Sequence, residues 1–195
     1  CIKKFHDICD YLTINISSPN TENLRSFHNQ NELDELLNAI KDEKQKLNSK
    51  IPIAVKISPD IEEANVEKIS ELLIKYNISL AIISNTSDKN RENLKNINKL
   101  EKGGLSGKPL EKKSNELINR FYKIIKGKVK IIGVGGVDSG KSAYEKIING
   151  ATLIQLYTGM VYKGPSIASK ISNELIDILK YEGIKNISEA IGTKN

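Results

Sequence analysis

Residues 53–84 read IAVKISPDIEEANVEKISELLIKYNISLAIIS, and this stretch decides the fold class. The short apolar runs Ile53–Ile57 and Leu80–Ser84 have the length and composition of buried strands. Between them, Glu63–Tyr76 repeats apolar residues at helical spacing. Because both strands are apolar on both faces and a helix connects them, the stretch predicts a parallel β–α–β unit.

The alternation of apolar runs and amphipathic stretches continues on both sides of this unit. Further strands are predicted at Tyr11–Ile16, Lys130–Val134 and Leu153–Tyr157, and further helices at Asn31–Leu47, Leu110–Ile125, Lys141–Asn149 and Pro165–Tyr181. Pro165 is suited to the first turn of the last helix. The resulting βα units are too few for an eight-stranded barrel, which needs about 250 residues. The sheet is therefore either open or continued by upstream units that this sequence does not contain.

The composition is that of one globular domain spanning residues 1–195. Of the 195 residues 38% are hydrophobic, and the net charge is +6. No apolar run approaches the ~20 residues that span a bilayer. The basic residues are almost all lysines scattered among acids, and only 5% of residues are aromatic, so a nucleic-acid partner is not expected. The chain starts at Cys1 with no visible targeting peptide, and we expect a processed product or a fragment.

Polar residues cluster at the carboxyl ends of the predicted strands. Right-handed crossovers place all βα loops of a parallel sheet at one edge, where the catalytic residues of such folds lie. At that edge the sequence puts Asn15 to Thr21, Lys56, Ser84 to Thr86, Gly133 to Gly136 and Tyr157 to Gly159. Lys56 interrupts an apolar strand, and a buried charge is costly unless it is paired. We therefore expect Lys56 to contact a ligand; the alternative is that its side chain extends to solvent at the strand end.

Two of these segments combine amides with hydroxyls. Asn15–Thr21 reads NISSPNT, and Ser84–Thr86 reads SNT. Side-chain amides both donate and accept hydrogen bonds, which suits a planar ligand rich in carbonyl groups. If the two segments face each other, they can hold a heterocycle between them. The alternative is that the same residues form only local Asx and Ser turns.

Gly135–Ser142 reads GGVDSGKS and matches the phosphate-binding loop of nucleotide hydrolases. Those enzymes also need a later strand with an Asp associated with Mg²⁺, whereas the one strand predicted to follow, Leu153–Tyr157, has no acid. We therefore do not predict a nucleotide hydrolase, but glycines before a helix still indicate an anion site. His6 and His28 lack the spacing of metal ligands. Both are interpreted as surface or structural histidines, and no metal site is predicted.

Several motifs, taken in their order and spacing, resemble those of dihydroorotate dehydrogenases. They are NISSPNT at Asn15–Thr21, Lys56 within VKI, SNT at Ser84–Thr86, GGLSGKPL at Gly103–Leu110, GVGGV at Gly133–Val137 and QLYT at Gln155–Thr158. The resemblance runs from about Asp10 to Gly192. It implies an α/β fold, the C-terminal five βα units of an FMN-dependent (β/α)8 TIM barrel whose first three units are not in this chain. It also implies oxidation of dihydroorotate to orotate in pyrimidine biosynthesis.

The residue at the position of the catalytic base separates the two classes of this family. The resemblance places Ser18 there, as in class 2 enzymes, which pass electrons to quinone; class 1 enzymes have Cys. In eukaryotes class 2 enzymes lie at the mitochondrial inner membrane, and we expect that location here. The ubiquinone-type acceptor is expected to act through an N-terminal segment that this sequence does not contain.

The resemblance also implies roles for individual residues. Ser18 would remove the C5 proton of dihydroorotate while hydride leaves C6 for flavin N5, and Thr21 would be its relay partner through water. The expected substrate contacts are Asn15, Asn20, Asn85 and Thr86. The expected FMN contacts are Asn15, Lys56, Ser84, Ser106, Gly107, Gly135, Gly136, Tyr157 and Thr158, with the phosphate on backbone N–H groups of the last two βα loops. Ser84 stands where family members more often have Thr.

Two other functions remain open at this point. One is another pyrimidine-handling flavin oxidoreductase, such as a relative of dihydropyrimidine dehydrogenase; those enzymes carry Cys where Ser18 stands, which disfavours them. The other is a half-barrel that binds FMN or phosphate without catalysis. Because the upstream strands and their substrate contacts are missing, we expect residues 1–195 alone to be inactive. We expect the N-terminal part of the same enzyme to complete the site.

Overall fold

A single parallel sheet organises the protein. In the computed structural model, which describes residues 1–89, 91–92 and 94–195, the five strands pair in the order in which they occur in the chain. They are β1 at Leu12–Asn15, β2 at Ile53–Ile57, β3 at Leu80–Ile83, β4 at Lys130–Gly133 and β5 at Leu153–Ile154. Because neighbouring strands in the sheet are also consecutive in the chain, every crossover runs over the same face.

Helices fill the crossovers. They are α1 at Ile2–Phe5, α2 at Gln30–Lys46, α3 at Glu63–Lys75, α4 at Glu111–Ile125, α5 at Gly140–Ile148, α6 at Thr158–Lys163 and α7 at Ile167–Tyr181. Short 3₁₀ turns lie at Leu24–His28, Ile97–Leu100, Lys108–Leu110 and Ile187–Ala190. The predicted parallel α/β architecture is confirmed, and most helix and strand bounds agree with the prediction to within about two residues, the usual uncertainty of such bounds.

The two faces of the sheet bury different side chains, because alternate residues of a strand point to opposite sides. On the outer face Val55, Ile57 and Ile83 join the large core that packs against the helices. On the inner face a smaller cluster contains Ala54, Ile82 and Ile132. Lys56 lies in register with Asn15 on one side and with Ile82 on the other. The inner face therefore carries both the small apolar cluster and the polar residues near the strand ends.

The sheet is a partial barrel whose ends curve toward each other. Tyr11, directly before β1, and Gln155, directly after β5, contact each other across the inner face, where Gln155 Nε2 donates to the Tyr11 hydroxyl at 3.4 Å. The last strand is shorter than the predicted Leu153–Tyr157 and ends at Ile154. Leu153 is 54% exposed, because no strand among the described residues covers the outer edge of β5.

The elements around the last strand differ from those predicted from the sequence. The segment Thr158–Lys163 forms α6, which was not predicted because its large apolar residues Met160, Val161 and Tyr162 are exposed and show no buried stripe. Pro165 was predicted in the first turn of the last helix, but α7 begins at Ile167. Gly164 separates α6 from α7 with a φ of +80°, a conformation that favours glycine. The chain turns at Gly164, and Pro165 lies in the connection.

Candidate active site

The loops at the carboxyl edge of the sheet surround a cleft of about 820 Å³. The cleft is lined by Lys56 of β2 and by all the predicted site residues that follow β3, β4 and β5, namely Ser84, Asn85, Thr86, Ser106, Gly107, Gly135, Gly136, Tyr157 and Thr158. Asn15 joins this group through hydrogen bonds, whereas Ser18, Asn20 and Thr21 lie on the neighbouring loop after β1. Sequence reasoning therefore selected residues that the fold brings to one edge.

The two amide–hydroxyl segments face each other. The Asn85 side-chain amide donates to Ser17 Oγ at 2.9 Å and to Asn15 Oδ1 at 3.4 Å. Ser17 in turn donates to Asn15 Oδ1 at 2.9 Å, and Asn85 Oδ1 accepts the N–H of Thr86 at 2.8 Å. Ser17 is fully buried. It lies within the polar segment Asn15–Thr21 but was not predicted as a site residue, because the resemblance gives a role to Ser18 and none to Ser17. It bridges the ends of β1 and β3.

Ser18 is partly buried, and Asn20 and Thr21 are exposed. Ser18 Oγ accepts a hydrogen bond from the backbone N–H of Asn20 at 3.2 Å. The hydroxyl hydrogen of Ser18 therefore points away from that N–H. An N–H donor stabilises the negative charge that develops on an oxygen as it loses its proton. Thr21 makes no hydrogen bond to Ser18 among the described residues.

Lys56 and Ser84 provide polar atoms on the inner wall of the cleft. Burial lowers the pKa of Lys56, and no ion pair among residues 1–89, 91–92 and 94–195 includes it. The Ser84 hydroxyl is buried and has no hydrogen-bond partner in this part of the chain. Buried polar groups are nearly always paired. A half-buried cation and a buried hydroxyl without a partner among the described residues, both lining one cleft, are therefore typical of a ligand site.

Glycines let two loops approach the cleft closely. Gly135 and Gly136 have φ values of +111° and +78°. A Cβ at Gly136 would lie 2.5 Å from the Glu111 Cβ and 2.8 Å from its Cα. At Gly107, with φ +78°, a Cβ would lie 2.8 Å from Cγ2 of Thr158, whose hydroxyl donates to Ser106 Oγ at 3.0 Å. Only glycine fits at these positions, and bare backbone therefore lines this end of the cleft.

The GKS triplet forms a helix cap instead of a nucleotide site. Ser139 and Ser142 form a reciprocal capping box at the start of α5. The N–H of Gly140 donates to Oε2 of Glu174 at 2.5 Å, so a carboxylate already occupies this helix terminus. Lys141 is exposed. The structure thus agrees with the sequence argument against a nucleotide hydrolase.

Asp60, which was not predicted as a site residue, ties three loops together. Its side chain is 2% exposed and pairs with Lys113 at 2.5 Å and with Arg25 at 3.3 Å. It also accepts hydrogen bonds from the Ser87 hydroxyl at 2.6 Å and the Asp88 N–H at 3.2 Å. Burial raises the pKa of Asp60, but the hydrogen bonds from Lys113, Ser87 and Asp88 outweigh burial and lower it. An isolated Asp after a proline carries no local signal of this role.

His28, interpreted from the sequence as a surface or structural histidine, is a structural one. It is buried, and its Nε2 accepts the N–H of Ser58 at 3.5 Å. Burial and, secondarily, the positive charge of Arg25 lower the pKa of His28 to about 4. The ring is therefore neutral near pH 7. Together with the Arg25–Asp60 pair, it fixes the far end of the loop that carries Ser18.

Arg91 holds the segment after β3 against the cleft. Its guanidinium donates to the carbonyl oxygens of Lys99 at 3.2 Å, of Glu101 at 2.6 Å and of Gly103. Ser87 and Leu105 form an isolated antiparallel bridge. These contacts tie Arg91 to residues 99–103, and GGLSGKPL at Gly103–Leu110 lines the cleft.

Comparison with known proteins identifies the relatives of this chain. The family model described as dihydroorotate dehydrogenase matches residues 1–179. Proteins named dihydroorotate dehydrogenase (quinone) from Trichodesmium erythraeum and Wigglesworthia glossinidia brevipalpis are 44% and 45% identical, over 95% and 88% of this chain. These alignments cover 50% and 52% of the relatives. The chain thus spans about half the length of the curated relatives it matches.

Solved structures agree with this match. A crystal structure of the dihydroorotate dehydrogenase of Eimeria tenella in complex with ferulenol superposes with a TM-score of 0.95 at 33% identity. It covers 99% of this chain, which corresponds to 56% of that protein. The ligand-free structure of the same protein also gives a TM-score of 0.95. The five strands therefore correspond to part of the fold of those enzymes.

The expected mitochondrial inner-membrane location is wrong. Relatives that are 43–45% identical come from bacteria, namely Trichodesmium, Wigglesworthia and Yersinia. The expectation rested on the eukaryotic members of class 2, and the match to bacterial sequences removes that basis. Within the described part of the chain, none of the helices combines the length and apolar character that a bilayer crossing requires.

Proposed function

The chain belongs to the dihydroorotate dehydrogenase family, and we propose that it supplies the FMN-binding and proton-transfer part of a quinone-linked dihydroorotate dehydrogenase. The reaction is the oxidation of dihydroorotate to orotate in pyrimidine biosynthesis. The observation that carries the proposal is the cleft that joins the Asn15–Ser17–Asn85 cluster to Lys56 and the buried Ser84 hydroxyl. FMN, when bound, accepts the hydride that leaves C6 of dihydroorotate.

The residues of the cleft fit FMN. The buried Ser84 hydroxyl has no partner among the described residues, and Lys56 offers a cation that can stabilise negative charge on the flavin ring. With Asn15, Ser106 and Gly107 they would hold the ring. The backbone N–H groups of Gly135, Gly136, Tyr157 and Thr158 would hold the phosphate. Gly135 and Gly136 both have positive φ, and a Cβ at Gly136 would collide with Glu111. Bare backbone is suited to the close approach of an anion.

Ser18 would act as the base that accepts the C5 proton of dihydroorotate. A serine hydroxyl is a weak base near neutral pH and needs an outlet for its proton. The N–H of Asn20 at 3.2 Å stabilises the oxygen as the proton leaves, and Thr21 would relay the proton through water. Asn15, Asn20, Asn85 and Thr86 would orient the pyrimidine ring by hydrogen bonds to its carbonyl and N–H groups.

Residues 1–195 would form a single domain that is the C-terminal portion of the barrel. Exposed apolar residues border both open edges, including Tyr11 before β1 and Leu153 in β5. An N-terminal part of the same enzyme would cover these edges, supply the remaining substrate contacts and deliver electrons to a ubiquinone-type acceptor. Full-length relatives are about twice as long as this chain, which supports the proposal.

The visible absorption spectrum of the purified full-length protein tests the proposal. We expect oxidised-flavin bands that bleach when dihydroorotate is added. A protein that binds no flavin would contradict it.

Ser18→Ala separates an enzyme from a binding module. Because its hydroxyl is the proposed base, we expect turnover with a quinone or dye acceptor to fall at least about 100-fold while the flavin content stays unchanged. Ser172→Ala, an exposed serine of α7, is the matched control and should retain turnover. Turnover retained in Ser18→Ala would mean that another group is the base, and no turnover in any of the three proteins would favour the non-catalytic half-barrel.

A further inference from the structure

Lys146 is a buried cation that the proposed reaction does not use. Its side chain lies on α5 and is 0% exposed. Its ammonium donates to Ser114 Oγ at 3.1 Å and to Asn115 Oδ1 at 2.9 Å, and no carboxylate pairs with it in the part of the chain that the structure describes. Burial lowers its pKa to about 8, while the charge of Glu111 acts in the opposite direction. A buried ammonium is unfavourable compared with a methionine of similar size.

Ser114 connects this ammonium to the loop that borders the cleft. Because Lys146 donates to Ser114 Oγ, the serine keeps its own proton for the carbonyl oxygen of Val134, at 2.6 Å. The same carbonyl accepts the N–H of Ser84 at 3.1 Å. Lys146, Ser114, Val134 and Ser84 therefore form one continuous chain of hydrogen bonds from the buried side of α5 to the wall of the cleft.

The anchored carbonyl sets the direction of the next N–H. In a trans peptide the C=O of one residue and the N–H of the next point in opposite directions. The peptide that joins Val134 to Gly135 directs its carbonyl toward Ser114, so the N–H of Gly135 points away from Ser114. Gly135 and Gly136 line the cleft, and a Cβ at Gly135 would lie 3.4 Å from the Ser114 Cβ. The loop rests directly on the serine that Lys146 holds.

We propose that Lys146 is a positioning residue for the phosphate of FMN: through Ser114 it fixes the Val134–Gly135 peptide, and it places a positive charge behind the loop. The inference rests on the proposed function, because it needs FMN as the ligand. It explains why an ammonium is retained where an apolar side chain would pack. The proposed effect on the phosphate is indirect, because Lys146 reaches the loop only through Ser114.

Lys146→Met tests the inference, with Lys141→Met as control. Lys141 is exposed on the same helix. Flavin-free full-length protein is titrated with FMN and with riboflavin, which lacks the phosphate, and the quenching of flavin fluorescence gives both dissociation constants. We expect FMN to bind roughly tenfold more weakly to Lys146→Met, the effect of one hydrogen bond to a charged group, while riboflavin changes less than about twofold. Lys141→Met should match the wild type.

A purely structural role predicts a different result, namely equal weakening of both ligands. That outcome, or no change for either ligand, overturns the inference while FMN binding by the wild type still supports the proposed function. A wild type that binds neither flavin overturns both. Thermal unfolding followed by circular dichroism establishes that the variants are folded.

Ser114→Ala is the second variant and decides the matter if Lys146→Met does not fold. It keeps the ammonium but removes the link to Val134. We expect the preference for FMN over riboflavin to fall roughly threefold, because one neutral hydrogen bond is lost. An unchanged preference in a folded Ser114→Ala protein overturns the positioning role.

Discussion

The loop after β1 and the loop after β4 border the same cleft but are held in different ways. The β4 loop depends largely on nearby residues: the glycines at 135 and 136 have positive φ, and Ser139 and Ser142 cap the helix that follows. The β1 loop depends on distant side chains, through Arg25 on Asp60 and His28 on Ser58. A local motif bends the proposed phosphate end, which Ser114 and Lys146 anchor from behind, whereas tertiary contacts alone hold the end that carries Ser18. Separate substitutions should therefore disturb the two ends independently.

The largest effect is expected from Gly136→Ala. The added Cβ meets Glu111 backbone and side-chain atoms and φ is +78°, so we expect a loss of about 4 kcal/mol or more in the free energy of unfolding. Urea denaturation measures it. Gly183→Ala is the matched control, because its φ is +70° and nothing lies within 4 Å of its Cβ. The control isolates backbone strain, about 1 kcal/mol; equal losses in both variants would mean that the close contact with Glu111 is unimportant.

Asp60→Asn should have the next largest effect. It leaves Arg25 and Lys113 without their buried carboxylate, and breaking a buried pair costs about 3 kcal/mol. We expect a lower melting temperature and slower turnover, with the flavin still bound, because the β4 loop is held independently. Asp34→Asn, which breaks the exposed pair with Lys75, should change little. If Asp60→Asn instead released the flavin and kept turnover per bound flavin, the two loops would not be independent.

His28 should make stability depend on pH. Its pKa is about 4 in the folded protein against 6.5 in the unfolded chain. The unfolded state therefore takes up a proton first as the pH falls, so stability is full above pH 6.5 and is lost toward pH 4. Between pH 7 and pH 5 we expect a loss of about 2 kcal/mol. The stability that Asp60 contributes through its lowered pKa is lost only at lower pH, below the ordinary Asp value of 3.8.

Urea denaturation of the wild type and of His28→Gln at both pH values measures this loss. The variant cannot titrate at this position and should lose much less stability than the wild type over the same interval. Parallel losses in the two proteins would assign the pH dependence to other groups.

Ser142→Ala should have the smallest effect. It removes one half of the capping box of α5, and a lost cap costs about 1 kcal/mol. Thermal unfolding measures the loss, with Ser172→Ala as the control within about 0.5 kcal/mol of the wild type. The flavin content should stay the same, because the hydroxyl serves the helix and not the ligand. A large loss of ligand would contradict the assignment of GKS to a helix cap.

Much of the fold followed from local patterns. The strand and helix positions and the parallel sheet were predicted correctly, because buried strands and amphipathic helices carry periodic signals. The partial barrel was implied by the family resemblance, since the periodic patterns left an open sheet equally possible. The prediction failed for α6 and for the length of the last strand, at an edge where few side chains are buried and periodicity is absent. The assigned roles of Ser18, Lys56 and the other site residues remain predictions, although the structure places them at one edge of the sheet or on an adjoining loop.

The sequence by itself determined the order of the elements, the edge at which the polar loops meet and the family to which the chain belongs. These properties depend on residues close together in the chain, or on motifs that recur as written. Only the tertiary structure revealed the Asp60 cluster, the neutral His28 and the path from Lys146 through Ser114 to Val134. Each joins residues far apart in the sequence, and burial determines both their charge and their partners. No local pattern contains that information.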